Sequence, residues 1–585
     1  MRLRFSSMLR TLAVALLGPT LPAAFAQMNM TGHVMEMQDE IPPEKLPPPV
    51  RISGIGNSHM EITATPEAQM WFDQGLNLLH DFWDYESARA FEHGVRVDPH
   101  CAMCYWGLYK AESFYHSTAQ GLAGRALAQA VALKEHASER ERLYIDAAVA
   151  HDQAPHSPDP NSFYLREREL LHRIAADYPQ DLQARIFAGN AGGNDSLAML
   201  EAVLRQDPEN SAANHYYIHA LEATDHPEKA LHSADILGRL APASGHMVHM
   251  PGHIYFRIGD YARAGQAFAA SLAVDERYMR EQHIEPDNNW NYIHNLMYAV
   301  ANLLEQGKFE EATRLSGKIT GARGKLETTL YINLARDSIS RLDPRLPVAL
   351  RVADFAQIRK LLNAGSVGPG LPNLEFLRGG LADFASGMQA VAAGNLAEAE
   401  RLSGHLDAEL QNKSRSHGDS GHNAGMAMAP HPPAASDWPK LAVMSDALLD
   451  PLLKTLSVMS FELRGSLLAG QGKIEEAKAL FARAGNEEKA LGYREPPSYI
   501  RPVGETEAAA MMAAGKWADA KAAFERALVE RPHSGFALYG IALASEKSGD
   551  REAAVRTYAD FLTAWKDADA ALPQVAHARA YMAAR

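Results

Sequence analysis

From Pro66 onward, apolar positions recur at steps of three and four, and no stretch sustains the alternation of a half-buried strand. The pattern predicts helices, and it predicts them in pairs. Near the C-terminus Gly515-Lys516-Trp517-Ala518-Asp519-Ala520 precedes Phe524, Ala527 and Pro532. The same phrase returns as Gly549-Asp550-Arg551-Glu552-Ala553-Ala554 before Tyr558, so that Ala520 and Ala554 stand 34 positions apart. Each part has a physical task. A glycine turns the chain between two helices, a small residue sits where they cross, and an aromatic ring fills the space between them.

A helix–turn–helix unit repeating at this distance is the tetratricopeptide period. Further copies fall at Gly472 with Ala477, Phe481 and Ala484, and at Gly259 with Ala264 and Phe268. Trp71 and Gly75, with Phe91, Gly94 and Pro99, form the first unit, and weaker ones centre on Ala230, Ala312 and Ala399. The expected fold is all-α: a tetratricopeptide-like α-solenoid of about eight hairpins with irregular helical insertions. An unspecific helical bundle is the competing reading.

The segments outside this pattern divide the chain. Arg2 and Arg4, the apolar run Leu12 to Leu17 and Ala24-Phe25-Ala26 predict a signal peptide over 1–26, and hence an exported, periplasmic or extracellular protein. Gly18 and Pro19 break the run before it is long enough to span a bilayer. Residues 27–65, opening Met28-Asn29-Met30 and rich in proline at Pro42, Pro43 and Pro47 to Pro49, are expected to be unstructured. A repeat block follows over 66–411. A flexible linker is expected over 412–438, with His417, His422, Met426, Met428 and His431, before a second block over 439–585. No later segment is apolar for long enough to cross a membrane.

Charge narrows the partners. The formal net charge of −14 becomes −17 once Arg2, Arg4 and Arg10 leave with the signal segment. A surface of that sign repels phosphate backbones, so nucleic acid is not expected.

The candidate chemistry lies in the central repeats. Seven of the 25 histidines fall between His215 and His253. His215, His219 and Glu222 share a helical face, as do His246, His249 and His253, and His294 stands three residues before Met297. Counting the small crossing residue as position 20 of each repeat (Ala230, Ala264, Ala312), all eight fall at positions 2, 5, 9 or 12, which line the concave groove in tetratricopeptide proteins. Late in the chain Glu505, Ala509 and Met512 take those positions instead. Imidazoles with a carboxylate and a thioether suit zinc or copper, Met297 tilting the choice towards copper. A peptide held in the groove by the same polar groups, making the protein an interaction scaffold, is the alternative. A metal-dependent enzyme, with Glu222 or Asp225 as base and Arg257 holding an anion, is a second alternative. Pro251 is expected to kink its helix.

Cys101 and Cys104 are the whole cysteine content and form a Cys-x-x-Cys. In an oxidising compartment they read as a local disulfide, and otherwise as a redox dithiol. The Met/His tracts at 28–37 and 417–431 read as metal-gathering segments.

Several phrases together resemble a group of exported bacterial tetratricopeptide proteins. They are Phe72-Asp73-Gln74-Gly75-Leu76, the Cys-x-x-Cys-x-Trp-Gly run from Cys101 to Gly107, His215-Tyr216-Tyr217-Ile218-His219, and the His-x-x-His-Met-Pro-x-His-Ile-Tyr run from His246 to Tyr255. The resemblance covers roughly the first half of the mature chain. It implies the helical-repeat fold and leaves the biochemical role open. Two departures bear on the site: Glu112-Ser113-Phe114-Tyr115-His116 stands where the group has Gly-Pro-Asn-Ile-Asn, and Met297 where it tends to carry histidine.

Overall fold

The computed structural model describes residues 47–115, 122–154, 159–286, 289–322, 334–423 and 446–584. Helices form the whole secondary structure of these residues, without a strand. Successive helices pair as antiparallel hairpins, from Pro66–His80 with Asp84–Val97 to Gly535–Ser548 with Arg551–Ala564. The insertions expected between repeats are themselves paired helices, such as Glu139–Gln153 with Pro160–Asp177 and Leu182–Asn190 with Ser196–Gln206. The chain is a tetratricopeptide-type α-solenoid.

The repeat phrase works as its residue types require. Gly259, Gly472 and Gly515 leave their helices with φ near +80°, +80° and +70° (81°, 79° and 68°), the left-handed region that a Cβ disfavours. Ala230, Ala264, Ala312, Ala477, Ala520 and Ala554 are wholly buried at the crossings. A glycine of the first helix meets an aromatic ring of the second: a Cβ on Gly75 would lie 2.9 Å from the ring of Phe91, and one on Gly465 2.9 Å from that of Phe481. The hairpins close around these rings only because that Cβ is missing.

Two boundaries differ from expectation. Residues 47–65 form neither helix nor strand, yet they are fastened down. Gln74 takes the Ile52 amide and donates to the Val50 carbonyl, and Asn77 makes the same paired contact with Ser58. Asn57 bridges to Glu209 and Ser211, and Ile55, Met60 and Ile62 are buried. Side-chain amides satisfying extended backbone make this segment a strap rather than a free linker. The expected linker at 412–438 begins as helix, because Leu396–Asn423 runs through nearly its first half. Its remainder, the tract at 28–37 and the signal segment lie outside the described residues.

The second block packs against the first. Arg351 donates to Glu305 and to Glu505, the Ser534 hydroxyl donates to Glu305, and the Trp565 indole donates to the Glu305 carbonyl. These contacts anchor the end of Trp290–Glu305, the helix that carries His294. No helix of the described residues is long and apolar enough to cross a membrane.

Candidate metal centre

Three helix starts position the histidines, and each is capped by a side chain. Asn210 accepts from the Ala213 amide at the head of Ser211–Glu222. Ser244 accepts from the Met247 amide at the head of Gly245–His249, and Asn289 from the Tyr292 amide at the head of Trp290–Glu305. Each cap satisfies an orphan amide and fixes where the helical phase begins. Pro251 does not ruin the second helix. The helix ends at His249 and a new one, Pro251–Arg257, starts with proline at its first position, where no amide is needed. His246, His249 and His253 therefore stay on one side.

The rings gather in two groups. One ligand atom each from His215, His219 and His246 lies within 4.8 Å of the others, and the same holds for His249, His253 and His294. Nε2 of His215 is 3.0 Å from Nε2 of His219 and 3.1 Å from Nε2 of His246, while Nε2 of His249 and His253 are 2.6 Å apart. The cluster is buried: His215, His249 and His253 are wholly inaccessible, and His246 and His294 nearly so.

The opposite edge of each ring decides its tautomer. Nδ1 of His215 faces the His80 carbonyl at 2.7 Å, which only accepts. Nδ1 of His246 faces Oδ1 of Asn291 at 3.2 Å, whose amide group donates to Asp275. Nδ1 of His249 faces Oδ1 of Asn295 at 2.8 Å, whose amide group donates to the Phe268 carbonyl. Glu222 accepts from Nδ1 of His219 at 2.7 Å with one oxygen and from Nδ1 of His253 at 2.5 Å with the other. Five rings thus place their N–H on Nδ1, which assigns a lone pair to every Nε2. The close Nε2 pairs set lone pair against lone pair.

Burial, and then the neighbouring imidazoles, push His215, His246 and His253 well below the usual histidine range. Burial lowers His249 to about 3, although its bond to Asn295 works the other way. Protons therefore do not fill the gaps near neutral pH. Glu222 is raised to about 7 by burial, and Glu495 well above its ordinary value by burial and by Glu222. Two buried carboxyls held high beside uncharged imidazoles describe a site short of positive charge.

Some expected residues lie elsewhere. Met297 is buried in an apolar cluster with Ile293, Leu296 and Val300, so its thioether fills space between helices and the tilt towards copper loses its support. Arg257 donates to the Glu222 and Thr224 carbonyls and lies over the Tyr493 ring, which commits it to structure rather than to an anion. Asp225 is exposed. Cys101 and Cys104 form a disulfide and are wholly buried, away from any thiol partner in solution.

Other residues escaped the sequence reading. Glu495 comes from the second block, with an oxygen 3.2 Å from Nδ1 of His253. Tyr493 reaches Glu222 at 3.4 Å and the Tyr298 hydroxyl at 3.3 Å. Tyr298 stands four residues after His294, so the spacing that found the histidines also marks it. Phe82 lies over the first group, its ring centre 4.9 Å from His215, 5.6 Å from His219 and 5.5 Å from His246. Its φ of +58° is strained for a bulky residue. A small cleft lined by Asp81, Phe82, Trp83, His246, Asp275 and Trp290 reaches the same group.

Fold and site together define an all-helical repeat protein with a buried polyhistidine centre. No family model matches the chain, and no curated protein matches it. Among solved structures it is similar to the crystal structure of the yeast Tom70, at 11% identity and a TM-score of 0.29, over 88% of this chain and 96% of that one. The fold assignment rests on the hairpins themselves.

Proposed function

We propose that this is an exported protein that holds a transition metal, zinc or copper, in its central repeats. The observation that carries the reading is the facing of Nε2 lone pairs across His215, His219 and His246 and across His249 and His253. Neutral imidazoles with committed Nδ1 atoms gain nothing from that contact, and a cation between them turns repulsion into coordination. Two nitrogens on one tetrahedral zinc, each about 2.0–2.1 Å away, lie roughly 3.3 Å apart, close to the separations in the first group. Carbonyl and carboxylate acceptors behind each ring are the usual support of metal-bound histidine. A buried disulfide agrees with export to an oxidising compartment.

Elemental analysis of untagged protein from its native compartment tests this, beside a variant with His219, His249 and His253 changed to Ala. Zinc or copper present in the native protein and absent from the folded variant is the expected result. Neither metal in the native protein overturns it.

The solenoid architecture also fits protein partners, since stacked repeats build extended concave surfaces. At the histidines that groove is closed by Tyr493 and Glu495 of the second block. A peptide partner would therefore bind away from the cluster.

A further inference from the structure

The histidines do not form one ligand shell. Each group of three draws two rings from one helical stretch and a third from the next: His215 and His219 with His246, then His249 and His253 with His294. The groups are neighbours, with ring centres of His246 and His249 6.0 Å apart and those of His219 and His253 6.2 Å apart. Zinc in protein sites takes four ligands, and a catalytic site keeps three from the protein with one position open. Six imidazoles exceed one such shell and divide evenly into two.

Glu222 ties the two groups together. Its oxygens separately hold Nδ1 of His219, in the first group, and Nδ1 of His253, in the second. A third combination of donors, His219 with Glu222 and Glu495, shares His219 with the first group. There Glu222 already faces Nδ1 of His219, while Nε2 points to His215. The carboxyl pair therefore stands behind the rings, its oxygens facing Nδ1 of His219 and His253, rather than forming a third shell.

We propose that the centre is binuclear: one transition-metal ion on His215, His219 and His246, and a second on His249, His253 and His294. The inference rests on the metal-binding reading above and goes beyond it in number and in ligand assignment. Three protein ligands on each ion leave each a position for water or another small ligand. The cleft lined by Phe82 and Trp290 touches His246, one of the first ion's ligands.

The test is the count of tightly held zinc. Full-length protein is stripped with a chelator, reloaded with zinc and dialysed, and the ion content is measured by elemental analysis, with helix content checked by circular dichroism. Two zinc ions per chain are expected for the wild type. One is expected for a His215→Asn/His246→Asn variant, one for a His249→Asn/His294→Asn variant, and none for the fourfold variant. A single ion in the wild type, lost from the fourfold variant, overturns the binuclear centre and leaves the metal-binding reading standing. Two ions retained by a folded fourfold variant place them elsewhere, as on the Met/His tracts, and overturn both. If the fourfold variant does not fold, the single substitutions His215→Asn and His294→Asn decide. Each should lower the count from two to one, and an unchanged count for both overturns the proposal.

Discussion

Two buried polar constellations sit on the same repeat framework, and only one of them is complete. In the second block Glu505 occupies the groove position that His215 and His249 occupy in the central repeats. There Arg351 lies between Glu305 and Glu505, and the Ser534 hydroxyl caps the free edge of Glu305. Burial alone would raise the Glu305 carboxyl, but Arg351, with Arg531 and the Ser534 hydroxyl, more than offsets it and holds it below the usual range. Every charge has a partner of opposite sign. Around the histidines the arrangement is reversed, with lone pairs facing one another and two carboxyls raised. A network that satisfies itself serves structure, whereas one that lacks a cation implies a ligand.

The largest effect should come from breaking the complete network. Arg351→Met takes from Glu305 and Glu505 the cation that bridges them, leaving only the more distant Arg501 near Glu505, and removing one member of such a network costs about 3–5 kcal/mol. Denaturant titration followed by circular dichroism should show a marked fall in the unfolding midpoint. A loss below about 1 kcal/mol would show that the two blocks do not depend on this contact.

The incomplete network should respond to metal instead. Chelation should lower the thermal midpoint of the wild type, and zinc should restore it. A ligand at a hundred times its dissociation constant adds about 2.7 kcal/mol to the native state. Arg351→Met should gain from zinc as the wild type does, since its network carries no metal ligand. A midpoint indifferent to both chelator and zinc would remove the contrast between the two constellations.

The hairpins and the histidine side of this contrast were legible from the sequence, whereas the ion pairs of Arg351 were not. The repeat phrase carried the hairpins because turn glycine, crossing alanine and core aromatic act locally. The three- and four-residue steps placed six histidines on one side because helical phase is local too. Glu495 and Tyr493 were not legible: they reach Glu222 from a loop 271 residues along the chain, through packing between blocks that no periodicity encodes. Met297 was misplaced for a related reason. Its repeat position faces the groove, yet neighbouring helices close over it and its thioether joins their apolar contact. The strap at 47–65 was hidden by composition, since proline density marks extended backbone without showing whether side chains such as Gln74 and Asn77 pin it.

Glu462 tests an intermediate case, a buried carboxyl completed by a proton. Burial raises it to about 7, and the Tyr499 hydroxyl donates to it. A folded value above the unfolded one means that the native state holds the proton more tightly. Its contribution is present at low pH, declines once the unfolded carboxyl ionises above about 4.5, and is gone above about 7. Stability of the wild type should therefore fall from pH 5 to pH 8 relative to Glu462→Gln, measured by denaturant midpoints in matched buffers. Parallel profiles would mean that Glu462 does not titrate across this range.

Phe82 should have the smallest effect on stability and a distinct effect on access. Its backbone is held at φ +58°, and a left-handed conformation costs an ordinary residue roughly 1–2 kcal/mol. Phe82→Gly relieves that strain and removes a partly buried ring, two changes of opposite sign, so the unfolding midpoint should move by no more than about 1 kcal/mol. The ring lies over His215, His219 and His246, and among the described residues its histidine contacts are confined to that group, so its removal should open the first group. Transfer of bound zinc to a chromophoric chelator should then separate into a faster phase and an unchanged slow one, where the wild type shows only slow transfer. A uniform acceleration of all the zinc would mean that the two groups exchange as one site, and would return the centre to a single ion shared by the six rings.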